Sequence, residues 1–495
     1  MNKFYKLVGF DPSKHSVRTE IISGVVTFLA MAYILALNPT LMLNLFGPVN
    51  QYDYLKSSVF IATALGAFIG TLLMAIYAKL PLAQAPGLGL NSMVGGLLGG
   101  GLIGTALSFG TSMLLVLISG VLFLLLSLLK ISGTSIREII YRSIPQSVRG
   151  AISVGIGLFI AFIGLYNSGN GIIVSNVANG TPVTLAPFSS WAFPAIGPAL
   201  VLLFGFLVIA ILSHFKIKGA VIIGIIAATL FGLIPGIDVT KWSGASWAFW
   251  ENFEGFFSFS TAEGGTFFAA FTEGFSFPAG VSVMSIIMVI ITFCMVDMFD
   301  TMGTCVGCCS AAGLMTEEGL PVNYNRIMVA DSVATCTGAL FGTSTVTTFV
   351  ESGAGVSCGG KTGLTALTTA SLFLLAIVLY PLFASIPAAA ANSALIWVGC
   401  LMLKGIKNVK VDSVKEFVPA FLTIAMMPLG YSITCGIGFG ILSYVLIQLC
   451  DYLFGLLAYT LSKKEDKVKP KFELNVVIIV IAVLFIIYFF VPTKI

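Results

Sequence analysis

The sequence predicts an all-α polytopic membrane protein of fourteen transmembrane segments, arranged as two inverted repeats of seven. Three observations lead there. Of 495 residues, 57% are hydrophobic and only 9% charged, with mean hydropathy +1.02, whereas a water-soluble surface needs roughly 25% charged residues. Apolar residues fall in long runs rather than alternating ten-residue segments, which excludes a β-barrel. Basic residues recur in every second connection, which sets the parity of the crossings. Soluble enzymes, nucleic-acid binders and disordered scaffolds are excluded by the same composition.

A polar segment, 1–19, comes first and is assigned to the cytoplasm; no small-residue cleavage site follows it. Apolar runs of the length a bilayer requires then lie near 20–44, 58–78, 84–101, 104–129, 148–167, 192–213, 219–235, 279–309, 328–341, 345–359, 363–383, 387–403, 416–430 and 432–459. With the N-terminus inside, 22 of the 25 Lys and Arg residues fall on one side, Arg137 among them, and only Lys56, Lys241 and Lys494 fall opposite. The connection 236–278 is rich in Trp and Phe and reads as an interfacial aromatic cap. A basic segment and a further apolar run, 474–491, end the chain in 460–495; the run just reaches bilayer thickness and is expected to cross. Nine Cys lie in or beside apolar runs of the second half without metal-ligand spacing, so they read as small core fillers and no metal is expected.

Seven spans per half is odd, so a duplicated half must sit inverted. Thr27-Phe28 matches Thr292-Phe293, and Gly87-Leu88-Gly89-Leu90 matches Gly353-Ala354-Gly355-Val356. Ile144-Pro145 and Ile386-Pro387 are each followed, twelve residues after the Pro, by Gly157 and Gly399. Spans 3 and 10 cannot be whole helices. One opens with Gln84-Ala85-Pro86-Gly87, and the other with the β-branched, hydroxyl-rich run Thr343 to Thr348 and then Gly353. Each is predicted to be an extended stretch plus a half-helix, and such interruptions at matching places in two halves point to a transporter's central site.

Four acids fall inside the spans: Asp297, Asp300, Asp331 and Glu351. A carboxylate at the bilayer centre costs about 2.5–3.5 kcal/mol on insertion scales and is functional by default. Asp297 and Asp300 stand one turn apart on one helix face, where a shared proton relieves their repulsion and suits proton coupling. Asp331 is expected to pair with Arg326. Glu351 stands at a strand-to-helix junction, where helix capping and ligand binding compete, and Asn91 of span 3 offers an amide. Two carboxylates, an amide and free backbone groups without a basic side chain repel anions. They suit cations, or flat neutral molecules with several N–H donors, with Phe28, Tyr33, Phe299 and Phe349 as candidate stacking rings.

The stretches Thr27 to Ile34 with Asn38-Pro39, Ala85 to Asn91, Val296 to Thr304 and Gly342 to Ser352 resemble the purine permeases for hypoxanthine, guanine and adenine, within the nucleobase–ascorbate transporter superfamily. The resemblance runs from about Lys14 to Tyr459. It implies a core domain from 20–129 and 279–386, and a gate domain from 130–235 and 387–459, joined by an extracellular linker, 236–278. It further implies that Asp297 and Glu351 bind the base directly and that Asn91 supports binding or transport; Phe28, Phe349 and Gly89 are added as candidate substrate-site residues. Asp300 and Thr301 are implied to support binding or proton coupling. The expected protein is thus a non-enzymatic purine:proton symporter of the cytoplasmic membrane. It would be driven by the proton gradient without a cofactor, partnered by the nucleobase and the lipid bilayer, and bind no nucleic acid; a homodimer is left open. A uracil or xanthine transporter of the same superfamily, a cation channel and an intramembrane aspartyl protease are the rival readings. Against the protease, Asp297 and Asp300 share one helix.

Overall fold

A computed structural model describes residues 3–44, 53–100, 105–131, 134–166, 172–176, 181–185, 193–235, 237, 239–240, 249–278, 281–317, 320–430, 432–461, 472 and 474–490. Each apolar run becomes one or two helices or a strand-and-helix unit. After the short α1 (Lys3–Leu7), the first run holds α2 (Val17–Met31) and α3 (Ile34–Asn44), parted at Ala32-Tyr33. The second holds α4 (Lys56–Leu73), which ends in a widened turn, Met74–Ala78, before Lys79 adopts a left-handed φ of 61°. Strand β1 (Gln84–Pro86) leads into α5 (Leu88–Leu98), and α6 (Phe109–Leu128) follows. A small hairpin, β2 (Lys130–Ile131) and β3 (Thr134–Ser135), turns into the linker helix α7 (Ile136–Ser143).

Helix α8 (Gln146–Tyr166), a hairpin of β4 (Ile173–Asn176) and β5 (Thr181–Leu185), α9 (Phe193–His214) and α10 (Ala220–Phe231) complete the first half. The long connection carries α11 (Phe249–Phe256) and α12 (Ala269–Thr272). Its ring contacts, Phe256 to Phe257, Phe267 and Phe341, lie against the ends of α4 and α14. Residues 241–248 and Lys463, Lys464, Lys467, Lys469 and Lys471 lie outside the described residues.

The second half holds α13 (Val283–Ala312), α14 (Tyr324–Phe341), β6 (Val346–Thr348), α15 (Ser352–Ser357), α16 (Gly363–Ala376), α17 (Tyr380–Ala384), α18 (Ala388–Met402), α19 (Val414–Leu429), α20 (Ile433–Leu461) and α21 (Val476–Phe490). Among the described residues, nine helical stretches are long and apolar enough to cross a membrane. The interrupted units and α10, α14 and α19 are shorter or more polar, so the fold is a mostly helical, polytopic membrane fold. Helix α21 spans only about 22 Å at 1.5 Å per residue, against the ~30 Å of hydrocarbon. It lies along α20 and also touches α13 and α7.

Packing sorts the helices into two sets, each drawing on both halves of the chain. Helices α2 to α6 pack with α13 to α16, and α8 to α10 pack with α18 to α20. Lipid supplies no hydrophobic drive between helices, so small residues must allow close approach. Helices α8 and α18 cross where Gly157 and Gly399 meet. A Cβ on Gly399 would stand 2.5 Å from the Gly157 carbonyl oxygen, and one on Gly157 would stand 3.1 Å from the Gly399 oxygen. These two glycines occupy matching places, twelve residues after Pro145 and Pro387, in the two halves of the sequence. Equivalent positions meet in this way where they lie beside a two-fold axis relating the halves.

Candidate functional site

The interrupted segments meet each other. Strand β1 pairs antiparallel with β6, with Gln84 opposite Thr348, Ala85 opposite Thr347 and Pro86 opposite Val346. Pro86 lacks an N–H, and the next donor, Gly87 N, reaches Thr345 O at 3.0 Å. The outer edges are satisfied by side chains. Thr71 Oγ1 accepts from Gln84 N at 2.9 Å, and Ser352 Oγ accepts from Ala83 N at 3.0 Å. Non-helical backbone at membrane depth survives only with such complete partnering. Because the strands run antiparallel, α5 and α15 leave the crossing in opposite directions.

Behind the crossing lies a buried polar cluster. Asp331 Oδ1 accepts from Gln84 Nε2 at 2.8 Å and from Thr301 Oγ1 at 2.7 Å. Thr301 Oγ1 is also 2.7 Å from Thr347 Oγ1 and accepts from Thr348 N at 3.3 Å. One carboxylate thus ties α14 and α13 to both strands. Its basic partner is not Arg326, whose guanidinium lies over the Tyr77 ring at 5.8 Å. The partner is Arg137 of α7, 3.9 Å from Asp331 Oδ2, with both side chains fully buried. Arg137 is therefore not the exposed cytoplasmic charge its place between spans suggested, and the acids do have a basic neighbour. Glu20, placed at the polar edge in the sequence, is also buried. It accepts from Lys361 N and Thr362 N and from Thr365 Oγ1, holding the start of α16.

In front of the crossing, a cavity of ≈ 1450 Å³ lies between the two helix sets. Asp300, Glu351, Gly89, Phe349, Phe299 and Tyr33 line it from one set, and Ile156 and Trp397 line it from the other. Lys216, Lys218 and Lys404, from connections assigned to the cytoplasmic side, also border it. Glu351 makes no side-chain cap of α15; instead Tyr33 Oη donates to its Oε1 at 2.6 Å. Tyr33 reaches that place because the first span unwinds at Ala32-Tyr33.

Among the residues singled out from sequence, the structure brings Asp300, Glu351, Gly89 and Phe349 to one cavity. Asp297 is buried one layer behind, its Oδ2 accepting from Thr335 Oγ1 at 2.8 Å. Thr301 lies in the polar cluster. Asn91 is fully buried, accepts from the Ser344 hydroxyl and donates to Pro86 O at 3.4 Å, so it braces the crossing. Phe28 packs edge-on against Phe373, ring centroids 5.2 Å apart. Sequence reasoning treated Tyr33 only as a ring near the site; the hydroxyl, not the ring, is what meets Glu351. Arg137 and Gln84 were missed as parts of the polar network.

Two antiparallel strand-and-half-helix units, crossing beside a cavity between two helix sets, define a membrane transport protein. Solved structures share that fold. The transmembrane domain of a cyanobacterial bicarbonate transporter, BicA, superposes with TM-score 0.56 at 14% identity, covering 84% of this chain and 97% of that one. The structure of SLC26A9 does so with TM-score 0.56 at 12% identity, covering 90% of this chain and 69% of that one. The chain belongs to the Permease family, whose model matches residues 18–439. Similar relatives include the guanine/hypoxanthine permease PbuG of Bacillus subtilis, 37% identical over 89% of this chain and 93% of the relative. The adenine permease AdeQ of Escherichia coli is 36% identical over 88% of each, and a putative permease of Methanocaldococcus jannaschii is 35% identical over 90% and 92%. These relatives are permeases, not enzymes.

Proposed function

We propose that this permease imports a purine nucleobase by proton symport. The observation that carries the reading is the pair of carboxylates, Asp300 and Glu351, facing one cavity with the Phe299 and Phe349 rings. Carboxylates accept paired N–H bonds from a flat base, and rings at the crossing stack on it. The names of the relatives favour hypoxanthine, guanine or adenine. Glu351 and Asp300 present the acceptors, Gly89 leaves room at the start of α5, and Asp297 and Asn91 hold the crossing from behind. The coupling proton resides on one of the buried carboxylates.

In this reading fourteen segments cross, with the N-terminus cytoplasmic. The set built from 20–129 and 279–386 is the core, and the set from 130–235 and 387–459 is the gate. The cavity bordered by Lys216, Lys218 and Lys404 is the inward-open vestibule, and the core moves against the gate to expose the site alternately.

The test is uptake of radiolabelled hypoxanthine by cells deleted for their own purine permeases, with and without a protonophore. Saturable uptake, abolished by the protonophore and inhibited by unlabelled guanine or adenine, is expected. Inhibition by xanthine or uracil alone reassigns the substrate, and uptake indifferent to the protonophore removes the coupling. Tyr33→Phe is expected to raise KM for hypoxanthine about tenfold, because the lost hydrogen bond to a charged group is worth about 1.5–3 kcal/mol. A KM equal to wild type refutes the positioning role of Tyr33.

A further inference from the structure

The buried polar cluster behind the crossing holds more charge than its hydrogen bonds satisfy. Arg137 Nε and Nη2, Asp331 Oδ2 and Asp297 Oδ1 are all buried without a hydrogen-bond partner. The Arg137–Asp331 separation of 3.9 Å is an ion pair too long for a hydrogen bond. Arg137 has little else to hold it: Nη1 reaches Ser127 Oγ at 3.5 Å, and the guanidinium lies over the Phe123 ring at 3.9 Å from the centroid. Asp297 lies within electrostatic reach of the same guanidinium.

One guanidinium and two carboxylates leave a net charge of minus one, buried behind the crossing. An uncompensated buried charge is expensive, and the group takes up a proton instead. Among the described residues, the other titratable groups facing the triad supply no further positive charge. Tyr324 and Cys294 face Arg137, and Cys305 and Cys336 face the aspartates; phenols and thiols ordinarily ionise only above neutral pH. Asp300 lines the cavity with Glu351 and also lies within electrostatic reach of both aspartates, so it adds to the negative field at the triad.

We infer that Arg137, Asp331 and Asp297 form one intramembrane site that carries the transported proton, with Arg137 as the positioning counter-ion supplied by the linker helix. The inference rests on the proton-symport reading and assigns the proton to the second layer rather than to the carboxylates that meet the base. The proton shuttles on and off the unpartnered carboxylate oxygens, and no bond other than O–H forms or breaks. Because α7 joins the two helix sets through the chain, movement of the gate changes the distance of Arg137 from the two aspartates. Proton affinity is thereby tied to the transport cycle.

The experiment uses the full-length protein in proteoliposomes, with hypoxanthine uptake measured against external pH and hypoxanthine exchange measured without a gradient. Removing a positive charge strengthens proton binding, so Arg137→Gln is expected to move the pH midpoint of uptake upward by about one unit or more, a tenfold change in proton affinity. Asp331→Asn leaves the triad neutral without a proton and is expected to abolish pH dependence and protonophore sensitivity while exchange persists. The double variant, Arg137→Gln with Asp331→Asn, restores the net charge of minus one and is expected to restore both. A wild-type midpoint in Arg137→Gln overturns the inference, as does Asp331→Asn that remains protonophore-sensitive or uptake that follows sodium rather than pH. If Arg137→Gln does not assemble in the membrane, Asp331→Asn and the charge-balanced double variant decide alone. Wild-type protein that exchanges no purine refutes the substrate reading instead, so the two failures are distinguishable.

Discussion

Glu351→Gln is expected to abolish purine uptake while leaving the protein in the membrane. The substitution keeps the volume of the side chain but replaces one acceptor oxygen by an amide that donates toward the base. Tyr33 Oη donates to Oε1, so the second oxygen and the remaining lone pairs are what a base in the cavity meets. Two hydrogen bonds to a charged group are worth about 3–6 kcal/mol together, which corresponds to a loss of about 10²- to 10⁴-fold in affinity. Initial uptake rates for radiolabelled hypoxanthine, normalised to membrane abundance by immunoblot, measure it. Uptake within twofold of wild type would remove Glu351 from the site.

The second large effect is structural. Gly355 of α15 lies against α2 so closely that a Cβ would collide with Thr27 Oγ1 and stand 2.6 Å from Ser23 O. Neither neighbour can retreat, because Thr27 Oγ1 donates to Ser23 O within α2 at 3.0 Å and the helix backbone is fixed. Gly355→Val should therefore separate α15 from α2 and displace Glu351, four residues upstream. Overpacking typically costs about 1–3 kcal/mol, and contacts this short put the variant above that range. Loss of the monodisperse peak in detergent size-exclusion chromatography is the expected result. Gly353→Ala is the control: its Cβ meets only Cys308 Sγ, at 3.8 Å, and the peak should remain. A folded Gly355→Val would show that α15 does not pack as described.

The breaks of spans 3 and 10 were legible because Pro86, Gly87 and the threonine run forbid a continuous helix whatever surrounds them. Glu351 was legible because a carboxylate in an apolar run needs a reason. Asp331 was paired with Arg326, but five residues turn a helix by about 140° past a full turn, so the two cannot share a face. Asp297 and Asp300 were treated as one pair on one face. Three residues leave an angle of about 60° between them, and at an interface that angle sends Asp300 to the cavity and Asp297 to the layer behind.

What the amino-acid order determined by itself was everything set by hydropathy and backbone chemistry: membrane residence, the places of the helices, the interrupted units and the acids that had to be explained. The folded chain alone decided which acid meets the cavity, that the Tyr33 hydroxyl holds Glu351, and that Arg137 stands beside Asp331. Solvation and backbone preference act residue by residue and so leave a mark in one dimension. The partner of a buried charge depends on which helices pack together, and Arg137 is separated from Asp331 by nearly two hundred residues of chain that carry no trace of their meeting.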